Sequence, residues 1–405
     1  MARAGQKILH LDVSNYYGGA DASLSVAEFL AFAASPDTSP YTRKELIVAA
    51  PETPEFKVLN RRFSIDLNPR LVYATGSTVD SMIQGGVSQY LEFKPVVSGV
   101  MWQGDRFAQL PCNKSEIFQN QDMSLREKRA LMRLLEAIPT LEDGQKSFDE
   151  VLAGFDLSPK LRNIIMYGLL YRLDESEVMS THKAVERIMV LSMQKYANSL
   201  NLYKENTSML YPLFGSADVP QAFCRLAAVY GSVYILSTDL YLEALNSTAD
   251  SIHLPTSMGD LECQRAVLSS RYLSLDPASR PVVSQQILRM VLVTTAAAYE
   301  SDGPVMLSVP PSESVSVPVY ILQVTNNTSC VPDGYAIYYL WTRLREESRA
   351  ALEAAASLLP GEVTIKAVYQ QDVVRNGTED RESRVWHVRD VEDGVDLDAH
   401  FVPST

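Results

Sequence analysis

The chain has 405 residues, 46% of them apolar and 21% charged, and a formal net charge of −13. Such a length and apolar fraction support a large buried core, divided over two domains. The acidic balance disfavours nucleic acid as a partner and suits one with a basic surface or tail.

The segment Gln6–Gly19, QKILHLDVSNYYGG, reads as the second strand of a dinucleotide-binding unit. Residues 7–12 alternate as a buried strand, and Tyr16-Tyr17-Gly18-Gly19 follows as a turn whose glycines admit backbone conformations closed to other residues. A Rossmann-type unit sets a strand, a Gly-rich phosphate turn and a helix, roughly 25 to 30 residues, ahead of an acid placed like Asp12. Only five residues precede this strand, and no G-x-G-x-x-G occurs elsewhere. The expectation is a flavoprotein-like scaffold with its N-terminal first strand absent and no nucleotide pocket. Residues 20 to 60, rich in Pro, Ser and Thr, predict a short helix and then an irregular surface connection. Extended pieces over Ser64–Leu67 and Leu71–Ala74 flank Asn68-Pro69, before a helix over Val79–Gly85 and a strand over Tyr90–Lys94.

Ser124 and Glu127 form an S-x-x-E capping box ahead of Leu131, Leu134 and Leu135, which predicts a helix over Ser124–Ala137. Helical patterns continue through Phe148–Leu152, Ser158–Tyr171 and His182–Leu200, where Val185, Ile188, Met189, Ser192 and Tyr196 share a face. Residues 107 to 202 therefore read as an all-helical insertion between two parts of a large domain, 1 to 106 and 203 to 405. Such helices bury a plain core or open to an apolar ligand. Asp218 reads as the cap of a helix from Val219, with Pro220 in the first turn, Arg225 outward and Phe223, Leu226, Ala227 and Tyr230 inward. Strands follow over Ser232–Leu236, Tyr241–Leu245, Ile287–Thr295, Val317–Thr325 and Tyr335–Trp341, the last two closed by Asp333-Gly334. A helix over Arg345–Leu359 and a strand over Val363–Tyr369 complete an α/β (α+β) architecture.

Catalytic patterns are missing from the sequence. The five histidines, His10, His182, His253, His387 and His400, form no metal-ligand spacing with one another or with the scattered Cys112, Cys224, Cys263 and Cys330. The chain has no nucleophile elbow, P-loop or kinase signature. Its cysteines suit a reducing compartment, Met1–Gln6 is too short and polar for a signal peptide, and no apolar run reaches the ~20 residues of a membrane span. The expected location is the cytosol, and a binding or escort role leads over catalysis.

The blocks ILHLDVSNYYGG, FSIDLNPRLVYA, VSQYLEFK, EKRALMRLL, LSPKLRNIIMYG and YPLFGSADVPQAFCRLAAVYGSVYIL, together spanning about 7 to 370, resemble the family of Rab GDP-dissociation inhibitors and Rab escort proteins. The resemblance implies a flavoprotein-monooxygenase-like large domain without bound flavin or other cofactor, a smaller helical domain, and binding of GDP-loaded Rab GTPases. It implies that Tyr17, Asp218, Gln221 and Arg225 form the Rab-docking platform, with departures at Ala217 and Ser232, where the family carries glycine, and at Asp218, where it carries glutamate. Escort proteins resemble this chain at QLPCNKSEIF and at Cys224. Phe214, where inhibitors tend to carry tyrosine, implies with Arg225 a contact to the Rab geranylgeranyl transferase αβ dimer. The escort reading further implies a sheltered geranylgeranyl lipid and transient membrane contact. Met123, Leu131, Met132, Leu161, Ile165 and Met166 are the groove candidates, methionine suiting an adaptable pocket. A dissociation inhibitor that extracts prenylated Rab, and a flavin-dependent oxidoreductase from a truncated gene, are the alternatives.

Overall fold

The computed structural model describes residues 2–36, 40–48, 53–111, 114–138, 152–173, 193–200, 202–203, 207–248, 250–269, 282–375 and 385–388. At its centre lies a ten-stranded mixed sheet. Nine strands run in the order Tyr41–Val48, Val363–Arg375, Val282–Thr294, Ala336–Arg343, Val319–Val324, Val305–Val309, Phe93–Trp102, Thr207–Pro212 and Val72–Tyr73, and Phe107–Gln109 pairs with Phe93–Trp102. Neighbours are antiparallel except Phe93–Trp102 and Val305–Val309, which run parallel.

The central strands are continuous apolar runs because both faces of the sheet are covered. Successive side chains leave a strand on opposite sides, so each run divides between two cores. Ile287, Val291 and Val293 enter the larger core with Leu322, Val324, Tyr339 and Trp341, while Leu288, Met290 and Leu292 enter the other with Ile321, Tyr338 and Leu340. Each fully buried aliphatic side chain contributes about 1.5 to 3 kcal/mol. The helix Ser348–Ala356 closes the smaller core with Ala351, Leu352 and Ala355, a spacing that puts all three on one face. The helix Val26–Ala34 and the helical region from Lys114 onward lie against the larger core.

Several expectations hold. Leu125–Ala137 is a helix whose Ser124 Oγ accepts the Glu127 amide at 3.2 Å while the Ser124 amide donates to Glu127 Oε2 at 3.0 Å. A hydrogen bond from the Ser158 hydroxyl, joined by those from Ser124, holds the Glu127 carboxyl below its ordinary range. The two extended pieces around Asn68-Pro69 are present as Ile65–Asp66 and Val72–Tyr73, and Ser77–Gly85 is helical.

Other expectations are corrected. The connection over residues 20 to 60 contains the eight-residue edge strand Tyr41–Val48, whose exposed residues are Arg43, Glu45 and Ile47, a mixed face because only the other side meets the core. The strand expected over Tyr90–Lys94 runs instead from Phe93 to Trp102, after a short 3-10 turn over Ser88–Tyr90. Residues 107 to 202 open with the strand Phe107–Gln109 before their helices, and Pro159–Asn163 widens into a π-helix over Ile164–Leu169. Tyr241–Leu245 is not a strand but a 3-10 turn over Leu242–Ala244, with Leu242 anchored in a small apolar cluster. Leu9–Leu11 does pair in parallel with Val233–Ile235, but it is not buried: Leu9 is 43% exposed. A two-stranded ribbon sends only Leu11 and Val13 toward that small cluster, and Leu9 is not part of it. The helix expected over Phe148–Leu152 and the residues Val185, Ile188, Met189 and Ser192 lie largely outside the described residues.

Replacing Ser124 with Ala removes an N-cap acceptor and should cost about 1 kcal/mol locally. Hydrogen exchange would show this as faster exchange of the Glu127 and Lys128 amides, with the sheet amides unchanged.

Candidate functional site

The residues expected to act are scattered in sequence, and a buried carboxylate brings their elements together. Asp66 ends the short strand Ile65–Asp66, which pairs with Ser23–Leu24, and it is fully buried. Its oxygens accept hydrogen bonds from Ser23 Oγ at 2.6 Å, Tyr211 Oη at 2.7 Å, Ser216 Oγ at 2.6 Å and the Ser216 amide at 3.0 Å. Its own amide donates to Tyr339 Oη at 2.9 Å. Burial pushes this carboxyl above its ordinary value, and the donors only partly offset that. The turn before the helix Asp218–Val229 is thereby fixed to two strands. Gly215, at φ 103°, is required there, since a Cβ would come within 2.7 Å of Ser23 Oγ and 2.8 Å of Asp66 Oδ1.

The same hub reaches the Tyr16–Gly19 turn. Ser23 Oγ, bonded to Asp66, accepts the Ala217 amide at 3.0 Å, and Gly18, at φ 101°, packs so closely that a Cβ would lie 2.9 Å from Ala22 Cα and 3.3 Å from Ala217 Cβ. Tyr16 packs on the core, while Tyr17 is 41% exposed and lies beside Tyr234. Burial, with Cys224 and Tyr17 adding to it, raises the Tyr234 hydroxyl to about 12. Asp12, the acid of the expected dinucleotide unit, accepts the Ser14 amide on Oδ1 at 2.8 Å.

The helix Asp218–Val229 carries the other expected residues, with two corrections. Asp218 does not cap it. Ala217 holds the cap position without a side-chain bond, so Asp218 is the first helical residue, and its Oδ2 is buried with no hydrogen-bond partner among the described residues. Burial, with the nearby Glu92 charge adding to it, raises the Asp218 carboxyl to about 6. The inner face is Val219 and Ala222 rather than Phe223 and Tyr230, which are 40% and 44% exposed. The helix start is set by the Gly215–Ala217 turn and not by Asp218. Gln221 and Arg225 are exposed, and the Arg225 guanidinium lies 5.1 Å over the Tyr90 ring.

Phe214 and Arg225 occupy different surroundings. Phe214 is exposed at a cleft of about 400 Å3 that it shares with Arg61, Arg62 and Ser329, and Ser64 Oγ donates to its carbonyl at 2.9 Å. The groove candidates Met123, Leu131, Leu161, Ile165 and Met166 are buried in the larger core, with Met132 packed against it. The space among Leu131, Leu134, Ile165, Leu169, Met193 and Tyr196 is about 10 Å3, room for one water. Sequence reasoning missed Asp66 and Ser216. The available signal was an acid between Ile65 and Leu67 in an otherwise apolar strand, where a buried charge requires partners.

The family described as GDP dissociation inhibitor matches this chain over residues 1–404. The Rab proteins geranylgeranyltransferase component A of Drosophila melanogaster is 26% identical over 381 residues, covering 86% of this chain and 72% of that protein. The human component A 1 is 27% identical over 313 residues, covering 74% of this chain and 46% of that protein, so the chain spans about half the length of that relative. The probable secretory pathway GDP dissociation inhibitor 1 of Schizosaccharomyces pombe is 27% identical over 245 residues, covering 58% of this chain and 51% of that protein. The Rab GDI of Plasmodium falciparum has the same fold, with a TM-score of 0.77 at 18% identity over 99% of this chain and 90% of that one. An oxidoreductase of Methanosarcina mazei shares the fold more distantly, with a TM-score of 0.55 at 10% identity, covering 97% of each chain.

Two outcomes follow from the geometry. Asp66→Ala strands four donor bonds at a cost of about 1 to 3 kcal/mol for each unsatisfied group, and thermal unfolding should show a loss of at least about 3 kcal/mol. Asp218 has a folded pKa of about 6 against an ordinary 3.8, so its burden on stability is absent below pH 4 and fully present above pH 6. Asp218→Asn should therefore raise stability at pH 8 but not at pH 4, by about 1 kcal/mol after discounting for its partial exposure, read as a pH-dependent rise in melting temperature.

Proposed function

The chain belongs to the GDP dissociation inhibitor family, and on that footing we propose that it is a Rab escort protein. It binds GDP-loaded Rab GTPases, presents them to the Rab geranylgeranyl transferase αβ dimer, and shields the prenylated product on its way to a membrane. The observation that carries this reading is the joining of the Tyr17 turn to the helix Asp218–Val229 through Ser23, Asp66 and Ser216. One rigid surface then offers an exposed tyrosine, with apolar area and a polar tip, beside a helix that displays Gln221 and Arg225. An arginine fork pairs with carboxylates or backbone carbonyls of a docked protein. The action is positioning, and this chain's residues break no bond.

The escort assignment is supported by the relatives named as component A of the geranylgeranyltransferase. Phe214, exposed with its carbonyl fixed, is the proposed transferase contact, alongside Arg225. The lipid shelter lies among Met123, Leu131, Met132, Leu161, Ile165 and Met166. A twenty-carbon chain needs a pocket on the order of 300 Å3, so those helices part to admit it. The protein works in the cytosol with transient membrane contact; among the described residues no helix is long and apolar enough to cross a membrane.

The relative named as a probable GDP dissociation inhibitor supports a second reading, extraction of Rab already prenylated. Prenylation of a purified Rab by the transferase dimer separates the two. Stimulation by this protein that falls at least about tenfold with Phe214→Ala, at unchanged Rab affinity, is the escort result. Slowed GDP release without stimulation gives the inhibitor. Tyr17→Ala and Arg225→Ala should each weaken Rab binding by about 1 to 3 kcal/mol in either case, measured by titration of fluorescent GDP-loaded Rab.

A further inference from the structure

We propose that the ion pair between Asp21 and Arg70 is a positioning device that sets Tyr17 in register with the outward residues of the helix Asp218–Val229; this rests on the Rab-docking reading above. Asp21 ends the 3-10 turn Gly19–Asp21 that follows Tyr16–Gly19, and its amide donates to the Gly18 carbonyl at 2.9 Å. Its Oδ1 accepts from Arg70 Nε at 3.0 Å and from Asn68 Nδ2 at 2.8 Å. The Arg70 side chain is only 7% exposed, so this attraction is weakly screened.

Arg70 also holds the other half of the platform. Its own amide donates to Ser216 Oγ at 2.7 Å, and that hydroxyl donates in turn to Asp66 Oδ2 at 2.6 Å, two residues before the helix begins. One residue thus grips the Tyr17 turn through its side chain and the helix start through its backbone. Tyr41 Oη, donating to the Ala20 carbonyl at 2.5 Å, pins the same turn from the edge strand. The buried guanidinium of Arg289, bonded to Gln371 Oε1 at 2.6 Å, adds positive potential near Asp21. The carboxylate is therefore drawn inward, and the turn with it. An arginine is specified because its planar fork fixes direction, which a lysine ammonium does not.

A residue that acts through another shows coupling in a double-mutant cycle. The affinity for purified GDP-loaded Rab would be titrated for the unaltered protein, Asp21→Asn, Tyr17→Ala and the double variant. Each single change should weaken binding about tenfold, and adding Asp21→Asn to Tyr17→Ala should cost no more than about twofold further. Unchanged affinity in Asp21→Asn, or single effects that multiply in full, would overturn the proposal. Should Asp21→Asn fail to fold, Arg70→Lys, which keeps the cation and loses the fork, runs through the same cycle with the same criteria. If the unaltered protein does not bind GDP-loaded Rab, the docking reading falls, and the clamp is judged by hydrogen exchange in Arg70→Lys. Faster exchange of the Asp21 and Ala22 amides would support it, and exchange unchanged there would overturn it.

Discussion

A single buried carboxylate decides where the candidate surface sits. Asp66 has given up water entirely and recovers its solvation from two serine hydroxyls, a tyrosine hydroxyl and one backbone amide. Those donors come from Ser23, Tyr211 and Ser216, so a charge that must be satisfied forces three distant parts of the chain to one point. Apolar burial alone would bring them near one another without fixing their rotation. Directional bonds to a buried anion are intolerant of displacement, and that turns a packed assembly into a surface of defined geometry.

The large sheet provides what the hub is fixed to. Tyr211 and Tyr339 stand on strands of that sheet, both fully buried, and their hydroxyls reach Asp66 from its face. The two cores divide the strand residues by parity, so the sheet cannot slip by one residue without exchanging its whole apolar content. Rigidity at the hub is thus inherited from register across the sheet. A fold shared with an oxidoreductase carries here the face proposed to dock a protein.

Some of this was legible from the sequence, and the limits have physical causes. The Ser124–Glu127 box was readable because capping is settled within four residues. The strands Val319–Val324 and Ala336–Arg343 were readable because burial on both faces leaves nearly unbroken apolar runs. Tyr41–Val48 was not, since an edge strand carries Arg43, Lys44 and Glu45 and resembles a loop in composition. Asp218 was read as a cap because its residue type favours that position. The helix start was decided elsewhere, by the left-handed Gly215 and by the Ala217 amide bonding Ser23, a residue nearly two hundred positions away. The family blocks pointed to Tyr17, Gln221 and Arg225, but no local pattern announces Asp21, Arg70 or Ser216, whose roles exist only once the chain has folded.

The helical region packs Leu131, Leu134, Ile165 and Met193 around a space no larger than a water molecule. An apolar guest can therefore enter only those molecules in which the helices have already separated. Its observed affinity is the intrinsic affinity scaled by that open fraction, so an open population of about 1% weakens apparent binding about a hundredfold. Any second contact that favours the open arrangement raises the guest's affinity by the factor by which it enlarges the open population, without touching the guest at all. Loading of the proposed lipid is then governed by whatever shifts that minor population.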